Sequence, residues 1–322
     1  MKRILSGIQP SGALHLGNYL GMMQPSVELQ HKGEALYFIA DLHSLTSLHD
    51  AEALRRYSRD VALDFLACGL DPERAFLFRQ SDIAKIPLLS WILSSVTPMG
   101  LLERCHSYKD KIARGIAPSH ALFSYPVLMA ADILIYDSDI VPVGKDQKQH
   151  LEVTRDIAVK MNETFGEILK LPTPSIREEA ANVPGTDGAK MSKSYGNTIE
   201  IFAEEKAMKK KIMSMVTDST PVEEAKDPEE SSIYQLYKLF AGKNEALTMA
   251  EKYRAGGTGY GDFKKQLFAT VWEYFAPMRH KRAELELDTD YVDDILQRGA
   301  EHANQLAEAV MTRVESAVGL RR

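Results

Sequence analysis

The sequence predicts an α/β protein: a parallel-sheet domain over residues 1–196 and an all-helical domain over residues 197–322. Three observations carry this. Short apolar runs of strand length, Arg3–Ser6, Ala35–Ala40, Ala75–Phe78 and Ile140–Val143, alternate with stretches of helical periodicity. Several of these runs, and the turns after them, end in glycine or polar residues, and strand C-termini are where open α/β sheets present ligand-binding groups. After Tyr195 the strand signals stop, and the chain reads as helices at about 203–216, 231–241, 245–255, 262–287 and 289–317. Repeated strand–helix units wind into a parallel sheet in the Rossmann manner.

A chain of 322 residues has room for two domains, and 44% hydrophobic with 26% charged content is that of a protein with a real core. A net charge of −6 argues against wholesale coating of nucleic acid, so any grip on RNA must come from a local basic patch. Two cysteines, Cys68 and Cys105, make neither a disulfide framework nor a four-cysteine site. Met1–Gly7 lacks the apolar run of a signal peptide. The longest apolar segment, Phe123–Tyr136, is too short to span a bilayer and carries Asp132. The expected location is cytoplasmic.

The first strand ends at Gly7. Gly and Pro punctuate Gly7–Gly12, and Leu16, Leu20 and Val27 then fall at helical spacing. A strand, a glycine turn and a helix start make a ready anion site, through unpaired N–H groups and the helix dipole. Pro25 should kink that helix or begin a second segment. No Gly-Lys-Ser/Thr follows, so this is not a Walker loop, nor is it G-x-G-x-x-G. Taken alone, His15-Leu16-Gly17-Asn18 reads equally as a functional signature or as a glycine turn with a surface histidine.

The second strand ends in Asp41-Leu42-His43-Ser44. With His49 and Asp50 nearby a metal site suggests itself, but nothing completes a ligand set, and His43 serves better as a hydrogen-bonding group in a pocket. Glu52–Cys68 is an amphipathic helix closed by Gly69, with Cys68 on its core face. Ile83–Ser95 is nearly apolar all round, which suits deep burial or a subunit interface. Lys109 and Lys111 sit in a polar loop, read either as a solvated face or as a phosphate contact.

In Phe123–Tyr136, Tyr125, Met129 and Asp132 share one helix face. A carboxylate in such apolar company is costly unless something donates to it. Asp132 therefore fits a buried acceptor awaiting a ligand N–H or O–H. Gly144-Lys145-Asp146-Gln147 at the end of the fourth strand is suited to a ribose hydroxyl and a substrate amine. From Leu171 to Gly196 the chain is rich in Pro and Gly, a mobile loop by composition. It ends in Lys190-Met191-Ser192-Lys193-Ser194, two ammonium groups with hydroxyls between and after them, able to surround a polyphosphate and stabilise a leaving pyrophosphate. Lys206, Lys209, Lys210 and Lys211 form the densest basic cluster. Such a run is ordinarily a solvated face, and in a helical domain it also suits an RNA backbone.

With Gly7–Gly12, His15–Gly21, Pro126–Leu134, Val141–Gln147 and Lys190–Ser194 in this order, the chain resembles the bacterial tryptophanyl-tRNA synthetases, a class I aminoacyl-tRNA synthetase family, over essentially its whole length. The resemblance implies a Rossmann catalytic domain with a helical anticodon-binding domain, the last helix packing back on the former. It also implies a homodimer, L-tryptophan, ATP with Mg2+ and tRNA(Trp) as partners, and a ligase reaction that passes through tryptophanyl-adenylate. It assigns ATP to Gln9, Pro10, Ser11, Gly17, Asn18, Gly144, Lys145, Asp146, Val183 and Lys190–Ser194 (Lys190, Met191, Ser192, Lys193, Ser194), with Lys111 helping the triphosphate. Tryptophan goes to Asp132 as indole acceptor, with Met129, Val143, Tyr125, Gln147, His43 and Leu5 around it. Leu5 stands where an aromatic residue is common, and Lys145 where an acidic one is. The Gly-Thr-Asp-Gly lead-in to Lys190 resembles a subgroup in which some members carry an iron–sulfur cluster. That requires four cysteines, so no cluster is expected.

The sister tyrosyl family shares this architecture, and a carboxylate accepts a phenol O–H as readily as an indole N–H. Gln9-Pro10-Ser11-Gly12 and Met129–Leu134 favour tryptophan. A small-molecule adenylyltransferase would not need the long lysine-bearing helical region, and a non-catalytic RNA-binding paralogue would not need the Lys190/Lys193 pair.

Overall fold

The structure is a computed structural model that describes residues 2–105, 108–109, 113, 115, 119–143, 148–176 and 183–321; for 143 and 174–176 only the backbone is described. Two compact units emerge, and they are not sequential. The first joins Met1–Gly12, Ser26–Glu178 and Leu285–Arg322, and the second joins Ala13–Pro25 and Glu179–Glu284.

The first unit is built on a parallel sheet of five strands: β1 (Arg3–Ile8), β2 (Glu34–Ile39), β3 (Ala75–Arg79), β4 (Ile140–Val143) and β5 (Thr173–Ile176), in the order β3-β2-β1-β4-β5. β2 is buried along nearly its whole length, as a parallel strand covered on both faces must be. Alternation sorts its side chains. Leu36 and Phe38 join Leu5 and Phe78 in a core with helices Lys85–Ser94, His120–Leu134, Lys148–Phe165 and Thr289–Ala317. Tyr37 packs against Phe65 of helix Ala51–Ala67, whose first turn is capped by the Asp50 carboxylate at 2.9 and 3.0 Å. The chain switches direction across the sheet at β1, whose neighbours are β2 and β4. The crevice outside the carboxyl ends at such a switch is where open α/β sheets bind ligands.

β5 corrects the reading of 171–196 as loop throughout. Its four residues include Pro174, which masks the strand signal. At the edge of a sheet only one side of a strand enters the ladder, so the missing N–H is tolerated. The last helix, Thr289–Ala317, buries Val292, Ile295, Leu296, Gly299, Ala300, Ala303, Ala307, Val310 and Val314, a stripe of helical period rich in small residues. It lies so close to β3 that a Cβ on Gly299 would stand 2.0 Å from the Leu77 carbonyl oxygen.

The second unit is helical. Its helices are Glu205–Met213, Ser232–Tyr237, Lys243–Ala255 and Tyr260–Tyr274, with Ala276–Leu287 beyond. The single helix expected at 262–287 is two, parted at Phe275. Pro277, one residue into the second, disfavours helical backbone at the residue before it and has no N–H to give the first. At Pro25 the helical path is not broken: a wide turn at Tyr19–Met23 runs directly into the helical segment Gln24–Leu29, in which Pro25 has no N–H to give the turn before it. Among the described residues no helix is long and apolar enough to cross a membrane.

Candidate active site

Two constellations stand out, one in each unit. In the first unit, Asp132 points from helix His120–Leu134 and is 1% exposed. The Gln80 side-chain amide donates to both of its oxygens, at 2.7 and 2.9 Å, and Nε2 of His43 lies 2.8 Å from Oδ2. These partners offset a desolvation that would otherwise make the carboxylate untenable. Burial raises the Asp132 pKa, His43 and Gln80 pull it down, and Asp41 pushes it up again. Asp41 in turn accepts from the backbone N–H and the hydroxyl of Ser81.

The His43 ring meets Tyr125 edge-on at 6.3 Å, and the Tyr125 hydroxyl lies 3.2 Å from Nε2 of His150. Met129 is partly buried against the same core, and Leu5 sits within it beside Val127, Ala130 and Ala131 of the Asp132 helix. Gln9, just past β1, donates to the His43 carbonyl at 3.4 Å, and the Pro10 carbonyl accepts from the Ser44 hydroxyl. Ser11 follows them and is exposed. The expected cluster of His43, Tyr125, Met129 and Asp132 is thus brought together. Lys111, Gly144, Lys145, Asp146 and Gln147 lie outside the described residues, as does the side chain of Val143.

In the second unit the backbone of the His15 stretch is bound to the segment that follows the lysine loop. Leu16 N–H donates to Ile199 at 2.9 Å, Ile201 N–H to Leu14 at 3.1 Å, and His15 pairs with Glu200. The His15 ring caps the helix start: Nδ1 accepts from the Asn18 N–H while the Asn18 amide oxygen accepts from the His15 N–H, both at 3.3 Å. This reciprocity gives the fourth position of the signature a physical reason to be Asn. Burial, and then the charge of Lys193, lower the His15 pKa to about 4. It is therefore a neutral group at physiological pH. Gly17 faces both the His15 ring and the side chain of Met191.

Met191 is the buried anchor of the lysine loop, its N–H donating to Val183 at 2.8 Å, and Val183 is buried too. Lys190 and Lys193 are exposed, and the hydroxyls of Ser192 and Ser194 lie 2.9 Å apart. Buried Asn197 holds this loop in shape. Its amide donates to Asp187 at 2.7 Å and to the Lys190 carbonyl at 3.1 Å, and its oxygen accepts from the Ser192 N–H at 2.8 Å. Gly185 is required beside it, since a Cβ there would fall 2.3 Å from the Asn197 side-chain nitrogen.

Sequence reasoning missed Asn197 and Gln80. Gln80 carried a usable signal: it opens the polar run Gln80-Ser81-Asp82 directly after β3, the same strand-end position that drew attention to His43. Among the described residues no group of three or more His, Cys, Asp or Glu could hold a metal.

Comparison with known proteins shows the family. The family model for class I tRNA synthetases of the W and Y type matches residues 1–276. The tryptophan–tRNA ligase of Fusobacterium nucleatum is 54% identical over 99% of this chain and 98% of its own length. That of Rhodopirellula baltica is also 54% identical, over 99% of this chain and 100% of its own. The crystal structure of Campylobacter jejuni tryptophanyl-tRNA synthetase with ADP and tryptophan superposes with a TM-score of 0.95 at 50% identity, covering 99% of this chain and all of that one. Family match, full-length identity and fold agree: the chain belongs to the class I tRNA synthetases of the tryptophan and tyrosine family.

Proposed function

We infer that the chain is a ligase that activates L-tryptophan with ATP and transfers it to the 3′ end of tRNA(Trp). One observation carries the choice of amino acid: a fully buried carboxylate, Asp132, held by His43 and Gln80 on a helix that also presents Met129 and Tyr125. It is an acceptor suited to an indole N–H. Leu5 and Val143 border the ring in this reading, with Tyr125, Gln147 and His43 toward the amino group and the ring edge.

The chemistry asks the protein for position and charge rather than for a base. An oxygen of the tryptophan carboxylate bonds to the α-phosphorus as the bond to the β-phosphate breaks, and pyrophosphate departs. Gln9, Pro10, Ser11, Gly17 and Asn18 hold the nucleotide, Val183 borders the adenine, and Gly144, Lys145 and Asp146 meet the ribose. Lys190 and Lys193, with Lys111, receive the charge that builds on the leaving group, and cations already positioned for that charge lower the barrier. Magnesium enters with ATP as part of the substrate. The mixed anhydride is then attacked by a ribose hydroxyl of the terminal adenosine of tRNA, releasing AMP.

Residues 1–196 form the catalytic portion in this reading and 197–322 the anticodon-binding portion, except that the last helix, Thr289–Ala317, belongs with the sheet of the first unit. The exposed lysines 206, 209, 210 and 211 are available to an RNA backbone. The enzyme is read as a cytoplasmic homodimer. The test is exchange of labelled pyrophosphate into ATP with tryptophan, tyrosine, phenylalanine or no amino acid, followed by tRNA charging. Exchange with tryptophan alone is expected. Tyrosine-dependent exchange would move the chain to the sister specificity, and silence with every amino acid would sink the reading.

A further inference from the structure

Gln80 is 0% exposed, and its side chain is determinate in orientation. Its oxygen accepts from the backbone N–H groups of Leu42 at 3.1 Å and His43 at 3.4 Å, so its NH2 faces Asp132. A carboxylate offers about four acceptor positions. Gln80 takes one on each oxygen and His43 a second on Oδ2, which leaves a lone pair on Oδ1.

We propose that Gln80 is a positioning and specificity residue for tryptophan: its clamped carboxamide locks the Asp132 carboxylate in one rotamer with a lone pair on Oδ1 left for the indole N–H. The proposal rests on the reading of Asp132 as the indole acceptor. It adds a reason for discrimination against a phenol. The indole N–H donates once and accepts nothing, so it completes the set. A phenol O–H can donate to the same lone pair but brings an oxygen that itself needs a donor, and the Gln80 amide and His43 Nε2 are already directed at Asp132. A site that leaves a buried polar group unpaired with the wrong ligand rejects it strongly. The titratable groups acting on Asp132 are His43 and Asp41 from the segment after β2, and Tyr136 from the turn just past the end of its own helix; Arg79 and Asp82, 3.8 Å apart, flank Gln80.

The experiment is pyrophosphate exchange on the full-length wild type and on Gln80→Leu and Gln80→Glu, from acid to alkaline pH, with tryptophan, tyrosine and a benzothiophene analogue of tryptophan that lacks the N–H. Gln80→Leu should raise the KM for tryptophan by about 30–100-fold, the loss expected for freeing a buried charged acceptor, with the KM for ATP unchanged and tryptophan favoured less over tyrosine. The penalty for losing the N–H should shrink from wild type to Gln80→Leu, because ring and carboxamide act through one carboxylate. Gln80→Glu is the decisive variant. Ionised, it sets a second carboxylate against Asp132. Protonated, its O–H donates as the amide did, so its tryptophan KM should recover as pH falls while that of Gln80→Leu does not.

A wild-type tryptophan KM in Gln80→Leu, an unchanged N–H penalty, or a Gln80→Glu profile parallel to that of Gln80→Leu overturns the role of Gln80. A wild type silent with tryptophan, or indifferent to the missing N–H, overturns instead the underlying reading of the site. Should Gln80→Leu fail to fold, the pH profile of Gln80→Glu and the analogue comparison still decide.

Discussion

His15 shows how the protonation state of a single side chain can be tied to its structural role. Its Nδ1 is occupied by the Asn18 N–H, so the neutral ring carries its proton on Nε2 and presents a donor. Burial, with the nearby Lys193 charge, holds its pKa at about 4, below the unfolded value of 6.5. Between those values the unfolded chain binds the extra proton and the folded chain does not. The stabilisation is therefore complete above about pH 6.5 and is lost as pH falls through about 4. Urea unfolding of the wild type and of His15→Asn, a substitution that keeps a capping side chain, measures this directly. The wild type should lose more stability than the variant over that window, and parallel curves would remove burial as the reason for the neutral ring.

At the scale of elements, the lysine loop depends on a residue that carries no charge. Asn197 ties the Lys190 carbonyl, the Ser192 N–H and Asp187 together, so the two lysines leave a fixed frame although their own ends are exposed. Asn197→Ala should lower kcat for exchange by about 10–100-fold, the order lost when reacting groups are misplaced by about 1 Å. The KM for tryptophan should stay within about twofold, since the ring pocket is built on other elements. A variant with wild-type kcat would mean that the loop shapes itself without the clamp. The close approach of the last helix to β3 makes a second prediction. In Gly299→Ala the new methyl meets backbone at 2.0 Å, where no rotamer can relieve it, so helix or strand must shift. A loss of about 1–3 kcal/mol follows, read as a drop of several degrees in Tm.

These elements also mark where sequence was readable. Four of the five strands announce themselves as apolar runs, because a sheet buried on both faces tolerates little else, and Asp132 announces itself by contrast with its helix. β5 did not, since Pro174 in a four-residue edge strand looks like loop. Gln80 and Asn197 did not either: an amide has no chemistry of its own to advertise, and each acquires its role only from partners that folding brings beside it.

For the whole molecule, what remains is the surface that the first unit leaves apolar. Helix Lys85–Ser94 buries Ile86, Leu89, Ile92 and Leu93 on its inner side, yet Trp91 on the outer side is 75% exposed and Met99 beyond its end is 62% exposed. A tryptophan can bury about 150–250 Å², and an exposed ring of that size is a candidate anchor for an interface. Polar sequence would have served a monomer better here, so a second copy of the chain is the expected cover. Trp91→Glu tests this cleanly, because an outward side chain contributes little to the core and its replacement should leave Tm nearly unchanged. Sedimentation of the wild type at micromolar concentration should give the mass of two chains. The variant should shift toward one, since a carboxylate desolvated at the centre of an interface without a partner costs several kcal/mol. A dimer of undiminished affinity in Trp91→Glu would place the interface elsewhere, and leave this ring to some other partner.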